Sequence, residues 1–354
     1  MKKKVGIFTT NSVDKIHPRI EMQVSLLEKN NFSVDIIRSK ARREGVFFEF
    51  INLLFLKYFK WKSINLFKKK IAKYDIIHVY DLQLLPLVKK AKKLNKKVVY
   101  ETLDDNVYLN FHAVSKKIPL LKYMKRFVIQ KMANYERRTT KKYCDTVIVN
   151  SPNLLANFDS SELIYYASNL EMLSVEAFDD NKQTRFIYLG KLTVAKGTRI
   201  YLSLLENFDI ELIILGDAYD DESRKLLSHR KVNYLGSFNS DELKKNLTSL
   251  LLDYNLIGLS VITPENKSYE LQEANKDIDY MSMGIPFIGN TRKPTFDKIK
   301  DGAGVLYNDN DSIKDLITNR NSAYTSASNN GKDLYEKYST LKFNEKLISI
   351  YNEL

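Results

Sequence analysis

The chain has 354 residues, of which 44% are hydrophobic and 12% aromatic, so a disordered protein is excluded and two folded domains are expected. Its formal net charge of +13 favours anionic partners such as nucleic acid, acidic lipid or phosphorylated small molecules. The single cysteine, Cys144, excludes a disulfide framework. Because the start, "MKKKVGIFTT", lacks a signal-peptide pattern and no run approaches the roughly 18 apolar residues of a spanning helix, we expect a cytoplasmic protein.

Short β-branched and aromatic runs alternate with amphipathic stretches along the chain. The first series of predicted strands is "KVGIFTT", "SVDIIRS", "DIIHVYD", "KKVVYET" and "DTVIVNS". The second is "RFIYLGK", "IELIILGD", "VNYLGSF", "LIGLSVI" and "PFIGNT". Helical spacing occurs between them, for example at residues 18–29, 84–94 and 241–251. This alternation predicts an α/β protein with two doubly wound, Rossmann-like domains.

The periodicity lapses between residues 165 and 184, where Asp, Asn and Ser accumulate. We therefore predict an amino-terminal domain at 1–167 and a carboxy-terminal domain at 168–335. The last segment, 336–354, has helical spacing but no following strand. It is predicted to be a helix that packs back on the first domain.

Two stretches of the amino-terminal half combine aromatic and basic residues. The stretch "VFFEFINLLFLKYFKWKSINLFKKKI" places aromatics at helical spacing opposite a lysine-rich face, and "SKKIPLLKYMKRFVIQKMANYERRTTKKY" is a second basic, partly apolar region. Such helices lie in the interface of an anionic bilayer or pack on a sheet, and the sequence leaves both open. Our hypothesis is that 47–71 and 115–143 hold the protein peripherally on the inner face of the plasma membrane. Dispersed basic residues without a reading motif argue against nucleic acid.

Two segments of the second half have the chemistry of ligand-binding strand ends, since ligands of doubly wound sheets bind beyond the carboxyl ends of strands. In "YLGKLTVAKGTR", Lys191 follows a strand and Lys196 precedes a helix, which suits a phosphate; a solvated lysine pair is the alternative. In "ANKDIDYMSMGIP", Asn275 and Lys276 would begin a helix with a second anion site. Asp279 would accept a vicinal diol or complement the helix dipole.

In this order and spacing, the motifs resemble the carboxy-terminal half of the retaining family 4 glycosyltransferases. The matching segments are "GKL…KG", "LIILGD", "VNYLGSF" and "DYMSMGIP". The run "YNLIGLSVITPENKSYELQEANKDIDYMSMGIP" is similar to the branch with Asn-Lys before the acid. The segments "IHPRIEMQVSLLEKNNFSVDII", "DIIHVYDLQLLPLVKKAKKLNKKVVYE" and "YERRTTKKYCDTVIVNSPNL" match the other half, so the resemblance covers most of the chain. It implies the GT-B fold, two domains facing a cleft with the last helix crossing back.

The resemblance also implies a function. It implies transfer of a sugar, with retention, from a nucleotide-sugar donor to a saccharide or lipid-linked saccharide, in the synthesis of surface polysaccharide or glycoconjugates. It implies no metal or other cofactor, because lysines and helix ends carry the phosphate charge.

The family roles transfer to matching positions of this sequence. Lys191 and Lys196 are the expected catalytic cations that grip the donor diphosphate, and Asp279 would hold the ribose hydroxyls. The remaining donor-side residues are Gly236 and Phe238, which would border the base, and Asn275 and Lys276, which would lie near sugar or phosphate.

The predicted acceptor side belongs to the first domain and includes Thr10, Asn11, His17, Glu101 and Asp105. Asp104 of "ETLDDN" is a further predicted catalytic residue, in a region where many members carry a His. Leu271 stands where many carry a second Glu. These departures leave open two alternatives: a non-catalytic GT-B subunit that binds a partner glycosyltransferase or a glycan, and a nucleotide-sugar epimerase.

Overall fold

The structure is a computed structural model and describes residues 2–9, 17–38, 67–80, 82–103, 107, 111, 123–159, 161–168, 170, 178–238, 240–263, 273–318 and 320–354. The chain divides into two compact units. The first comprises Met1–Tyr165 and Phe343–Leu354, and the second comprises Tyr166–Lys342. The chain therefore leaves the first unit once and returns to it near its end.

The first unit is built on a six-stranded parallel sheet with the strand order β2-β1-β3-β4-β5-β6. Its strands are β1 Lys4–Thr9, β2 Ser33–Arg38, β3 Ile76–Tyr80, β4 Lys97–Thr102, β5 Thr146–Val149 and β6 Ser161–Leu163. Its described α-helices are α1 Pro18–Lys29, α2 Leu85–Lys93, α3 Lys125–Tyr143, α4 Pro152–Leu155 and, from the end of the chain, α12 Thr340–Glu353.

The second unit has its own six-stranded parallel sheet, ordered β12-β11-β10-β7-β8-β9. Its strands are β7 Gln183–Leu189, β8 Leu212–Leu215, β9 Val232–Tyr234, β10 Tyr254–Ser260, β11 Phe287–Gly289 and β12 Gly304–Leu306. Its described α-helices are α5 Thr198–Asn207, α6 Asp221–Leu227, α7 Ser240–Asp253, α8 Asn275–Ser282, α9 Lys293–Lys300, α10 Asn310–Thr318 and α11 Thr325–Tyr335.

Parallel sheets with flanking helices explain why the strands are such clear apolar runs. A strand covered on both faces favours apolar side chains, and all residues of β8, and of β3 with its one histidine, are buried. The predicted α/β class with two Rossmann-like domains is confirmed, and all ten predicted runs form strands. The sixth strand of each sheet, β6 and β12, was not predicted. Both are three residues long and only partly buried, so neither produces an apolar run.

The end of the chain differs from the predicted single helix at 336–354. A 3-10 turn, Glu336–Tyr338, is followed by Ser339 in an extended conformation with ψ of 151°, and α12 begins only at Thr340. The Ser339 hydroxyl accepts a hydrogen bond from the backbone N–H of Lys342 at 3.3 Å. Ser339 thus caps α12, a role that serine fills well because its oxygen satisfies a free N–H of the first turn.

A buried arginine joins α1 to the end of the first unit's sheet. Arg19 is 1% exposed, and its Nε donates to the carboxylate of Glu101 on β4. Its two terminal nitrogens donate to the backbone carbonyls of Tyr165, at 2.9 Å, and Ile164, at 3.0 Å. The guanidinium therefore satisfies three acceptors at once.

Glu101 extends this network to β3 and α12. Its carboxylate also accepts from the side-chain amide of Gln23 at 2.8 Å and lies 3.0 Å from Nε2 of His78. The other ring nitrogen of His78 is 2.6 Å from the hydroxyl of Tyr351. Burial alone would raise the pKa of Glu101, but the charge of Arg19 and the hydrogen bonds from His78 and Gln23 outweigh it and hold the pKa well below its usual range. The ionised carboxylate therefore stabilises the fold at neutral pH.

We predict that Glu101→Gln lowers the free energy of unfolding of the first unit by about 3–5 kcal/mol at neutral pH, because Arg19 would stay buried without a counter-charge. Thermal and urea unfolding of the two proteins measure the difference. A depressed pKa contributes stability that is lost as the pH falls, so the difference should shrink below about pH 4.

The matched control is Asp159→Asn, which removes the partner of Lys141 in an exposed pair with a 2.6 Å separation. Exposed pairs are screened by water, so this change should leave the unfolding midpoint nearly unchanged. Equal losses in the two variants would show that Glu101 contributes no more than a surface ion pair.

Candidate functional site

The candidate site lies where the connections of the second sheet change direction. Strands β7 and β10 are neighbours in the middle of the sheet, and the chain proceeds from them towards opposite edges. Ligands of doubly wound sheets bind at this switch point, beyond the carboxyl ends of the two strands. Here the backbone N–H of Thr263, after β10, donates to the carbonyl of Ala195, after β7, at 3.0 Å. The two strand-end segments are thus joined directly.

The loop between β7 and α5 is held in place by the neighbouring strand connection. The N–H of Leu192 donates to the carbonyl of Asp217 at 2.8 Å, and the N–H of Val194 donates to the carboxylate of Asp220 at 2.8 Å. Asp220 also caps α6 by accepting from the N–H of Ser223 at 2.8 Å. The loop that carries both predicted cations is therefore preorganised.

Lys191 and Lys196 lie at the two ends of this loop. Lys191 is exposed, with its Nζ 5.3 Å from the centroid of the Tyr219 ring. Lys196 ends a 3-10 turn and is followed by Gly197, whose φ of +94° favours glycine. A Cβ at Gly197 would also come within 2.8 Å of the Tyr201 ring. Gly197 thus lets α5 begin directly after Lys196.

Lys276, in the first turn of α8, lies beside the same loop. Its Nζ is buried 3.9 Å from the centroid of the Tyr188 ring and has no hydrogen-bond partner in the described part of the chain. The hydroxyl of Tyr188 donates to the carbonyl of Lys191 at 2.7 Å. Burial, reinforced by the charge of Lys196, holds the pKa of Lys276 well below its usual value. Tyr188 thus contacts the side chain of Lys276 and the backbone of Lys191, and Lys196 is near enough to affect Lys276. The neighbouring Asn275 is partly buried.

Asp279 lies one turn further along α8 and is 9% exposed. Its Oδ1 accepts a hydrogen bond from the hydroxyl of Ser168 at 2.7 Å. Burial raises the pKa of Asp279 to about 7; the Ser168 hydrogen bond opposes this rise, and the nearby charge of Asp277 adds to it. Sequence reasoning missed Ser168, which stands in the aperiodic stretch before the second sheet and shows no motif.

A second set of buried charges supports the start of α8. The Asp277 carboxylate accepts from the Thr295 hydroxyl at 2.7 Å and lies 3.7 Å from a guanidinium nitrogen of Arg292. Lys298 is 3.9 Å from the same carboxylate and donates to Glu273 at 2.6 Å. All five residues are buried. The acids and bases of this cluster compensate one another.

The predicted base-side segment follows β9 at the same edge of the sheet. The N–H of Gly216, at the end of β8, donates to the carbonyl of Gly236 at 2.8 Å. Gly236 has a φ of +84°, and Phe238 is partly exposed. The segment is thus anchored next to the loop that follows β8.

The first unit offers fewer of the predicted site residues. His17 caps α1, where its Nδ1 accepts from the N–H of Arg19 at 3.3 Å. Glu101 is 0% exposed and bonded within the network described above, so it has no surface for an acceptor and is a structural residue here. The predicted residues Thr10, Asn11, Asp104 and Asp105 lie outside the described residues, as do Leu271 and the aromatic stretch at 47–60. Within the described ranges, no three His, Cys, Asp or Glu side chains are grouped as metal ligands.

The start of α3 presents an aromatic and basic surface. We define the α3 surface as Tyr123, Lys125, Arg126, Phe127 and Lys131, all of which are exposed. Tyr123 is 90% and Phe127 59% exposed. Because α3 runs back between parallel strands β4 and β5, it begins at the carboxyl edge of the sheet.

The rest of α3 is also strongly basic. Its lysines and arginines are Lys125, Arg126, Lys131, Arg137, Arg138, Lys141 and Lys142. Its single acid, Glu136, is buried and accepts from the hydroxyl of Tyr100 at 2.5 Å. Among the helices that the structure describes, none is both long and apolar enough to cross a membrane.

Comparison with known proteins identifies the fold. The sequence matches no protein-family model and no curated protein. Anabaena Alr3699/HepE, solved in complex with UDP and glucose, is 12% identical and has a TM-score of 0.67 over 99% of this chain and 100% of that chain.

Two further solved structures are similar. A trehalose-6-phosphate synthase studied for glycosyltransfer with retention is 13% identical, with a TM-score of 0.62 over 99% of both chains. The α,α-trehalose-phosphate synthase (UDP-forming) from Burkholderia vietnamiensis is 8% identical, with a TM-score of 0.61 over 100% of both chains. At these identities the likeness shows the fold, and the chain has the two-domain GT-B fold.

We predict that Asp279→Asn stabilises the protein in the absence of ligand, and that the gain grows as the pH rises from 5 to 8. Because the pKa of Asp279 is raised in the folded protein, ionisation of this carboxyl group lowers the free energy of unfolding. The loss begins near pH 4, the pKa in the unfolded chain, and levels off above about pH 7, the pKa in the folded protein. The amide avoids the penalty and still accepts from Ser168. Melting temperatures measured across this pH range test the prediction.

Asp315→Asn is the matched control, because Asp315 is an exposed acid on α10. It should show no gain that grows with pH. If Asp279→Asn melts below the parent protein at pH 8, the ionised carboxylate stabilises the fold and the interpretation of its burial is wrong.

Proposed function

We propose that this protein is a retaining GT-B glycosyltransferase that moves a sugar from a nucleotide-sugar donor to a saccharide or lipid-linked saccharide, in the synthesis of surface polysaccharide or glycoconjugates. The observation that carries the proposal is the Lys276 amino group on the Tyr188 ring, beside the loop of Lys191 and Lys196 at the switch point of the second sheet. Cations at a helix start suit a diphosphate. The similarity to a fold solved with UDP and glucose supports this choice of ligand.

In the proposed reaction the lysines stabilise the leaving group. The bond between the anomeric carbon and the diphosphate breaks while the acceptor hydroxyl oxygen attacks the same face of the sugar, which gives retention, and the hydroxyl proton passes to the leaving diphosphate oxygen. Negative charge then develops on the diphosphate, next to Lys191 and Lys196 on their preorganised loop. Fixed charges aimed at developing charge are the largest source of catalysis in many enzymes. We propose that no metal or other cofactor takes part, because the lysines supply the compensating charge.

The remaining donor-side residues are assigned by their place at the same sheet edge. We propose that Asp279 accepts the ribose hydroxyls with the carboxylate oxygen that does not bond Ser168. Gly236 and Phe238 would border the base, and Asn275 would lie near sugar or phosphate. We propose that the acceptor binds to the first unit, at His17 and at the predicted residues Thr10, Asn11 and Asp105. Asp104 is the proposed catalytic residue of that unit.

We predict that Lys191→Ala and Lys196→Ala each weaken binding of UDP and other nucleoside diphosphates by about 1.5–3 kcal/mol, roughly 10- to 150-fold, because each removes a charged hydrogen bond. Calorimetric titration with a panel of nucleoside diphosphates measures the affinities. Turnover of the matching nucleotide-sugar should fall as well, and EDTA should leave it unchanged.

The control is Lys225→Ala, an exposed lysine in the last turn of α6. It should bind nucleoside diphosphates like the parent protein. Unchanged affinity in both site variants would remove the basis of the donor site. Binding without sugar transfer would favour a non-catalytic subunit, and conversion of the donor sugar without an acceptor would favour an epimerase.

We further propose that the protein docks on an anionic membrane through the α3 surface. Exposed Tyr123 and Phe127 offer apolar area for the bilayer interface, and the basic residues beside them attract acidic headgroups. The surface lies at the carboxyl edge of the first sheet, where ligands of such folds bind. A lipid-linked acceptor would therefore meet the protein at the edge that touches the membrane. The second predicted region, 47–71, is described only from residue 67 onwards.

We predict that the double variant Tyr123→Ser/Phe127→Ser loses binding to vesicles of phosphatidylcholine and phosphatidylserine in a sedimentation assay. Its melting temperature should not change, because both side chains are exposed. Binding of the parent protein should fall as salt rises and should vanish on pure phosphatidylcholine vesicles, since the headgroup attraction is screened within roughly 8–10 Å.

Leu252→Ser is the matched control, since Leu252 is 66% exposed on α7 of the second unit. It should bind the vesicles like the parent protein. An equal loss in this control, or full binding by the double variant, would contradict the assignment of the α3 surface.

A further inference from the structure

Lys276 places a buried amine nitrogen in the candidate site. Its Nζ is buried and faces the Tyr188 ring at 3.9 Å, and in the described part of the chain it has no hydrogen-bond partner. Lysine is among the residues least often buried, because a desolvated ammonium group loses the hydration that stabilises its charge. A lysine whose Nζ is buried without a hydrogen-bond partner among the described residues therefore calls for a physical explanation.

The groups around Lys276 do not supply that partner. Lys196 approaches from the β7–α5 loop and Arg292 from the start of α9, and both disfavour a further positive charge. On its own helix, Asp277 favours the charge, but its carboxylate is already bonded by Ser260 and Thr295 and lies 3.7 Å from Arg292. Burial has the largest effect, and together these groups lower the pKa of Lys276. The neutral form of Lys276 is thus favoured more than in an exposed lysine.

We propose that Lys276 takes up one proton from solvent when a nucleoside diphosphate binds, and then pairs with the diphosphate as an ammonium ion. The inference rests on the proposed function and specifies how the donor site responds to its ligand. A diphosphate beside Lys196 would replace local positive charge by negative charge, which favours the protonated lysine. Protonation fills the nitrogen's lone pair and raises its N–H donors from two to three.

This coupling has a direct consequence for affinity. At a pH where free Lys276 is neutral, every binding event must also bind a proton, so the affinity falls as the pH rises. Before a diphosphate binds, the site therefore carries one positive charge fewer. It gains this charge when the diphosphate binds.

Isothermal titration calorimetry measures the proton directly. We would titrate the protein with UDP, GDP and inorganic pyrophosphate at about pH 8, where the terminal phosphate of a nucleotide, with its second pKa near 6, is fully ionised. Running each titration in HEPES and in Tris, whose ionisation enthalpies differ, gives the protons taken up per ligand bound. We expect close to one proton for the parent protein.

Three variants assign that proton. Lys276→Met should bind more weakly with no uptake, and Lys276→Arg should bind with no uptake because arginine is already charged. Lys191→Met should bind more weakly but keep the uptake. If the methionine variant at 276 does not fold, the arginine variant carries the same test.

The outcomes separate this inference from the function on which it rests. Binding of UDP, GDP or pyrophosphate without proton uptake overturns the role of Lys276 and leaves the donor site standing. Uptake that persists in both Lys276 variants assigns the proton to another group and likewise overturns it. Failure of all three probes to bind the parent protein overturns the donor site itself.

Discussion

The pairing of β7 with β10 is the constraint on which the candidate site depends. The two strands run side by side in parallel from Gln183 opposite Tyr254 to Ile187 opposite Gly258. Because the chain leaves them towards opposite edges of the sheet, the segments after their carboxyl ends border the switch point. The bond between Thr263 and the β7–α5 loop then fixes those segments to each other. This arrangement determines where the lysines of the site lie.

The buried charged groups of the site fall into two sets. The set around Asp277 forms ion pairs, and the other set comprises Asp279 and Lys276. Around Asp277, acids and bases pair in the protein interior. Closer to the strand ends, burial raises the pKa of Asp279 and lowers that of Lys276, so both groups are driven towards their neutral forms. A nucleotide that offers hydroxyls to one and phosphates to the other would compensate both. The unfavourable burial in the empty site would then be relieved by binding, which favours ligand selectivity over maximal stability.

Sequence patterns predict elements that are governed locally and miss those that depend on distant contacts. A strand that helices cover on both faces carries an apolar run, as β8 does, and α1 begins and ends at the predicted residues. Edge strands β6 and β12 need no such run. Ser168 and Asp279 are 111 positions apart, so no local pattern pairs them. Glu101 was assigned to the acceptor because it lies near a strand end, whereas its environment depends on Arg19, 82 positions away.

Arg19 shows why a buried charge, rather than an apolar contact, holds the two segments at which the chain leaves and re-enters the first unit. The backbone carbonyls of Ile164 and Tyr165 follow the edge strand β6 and accept from the buried guanidinium. Its carbon lies 5.1 Å from the centroid of the Phe343 ring, where the chain re-enters the unit. An apolar side chain could pack there but would leave two carbonyls unsatisfied, and lysine would offer three donors from one point. The planar fork of arginine reaches both carbonyls and Glu101 together, so one residue anchors the exit and the return of the chain.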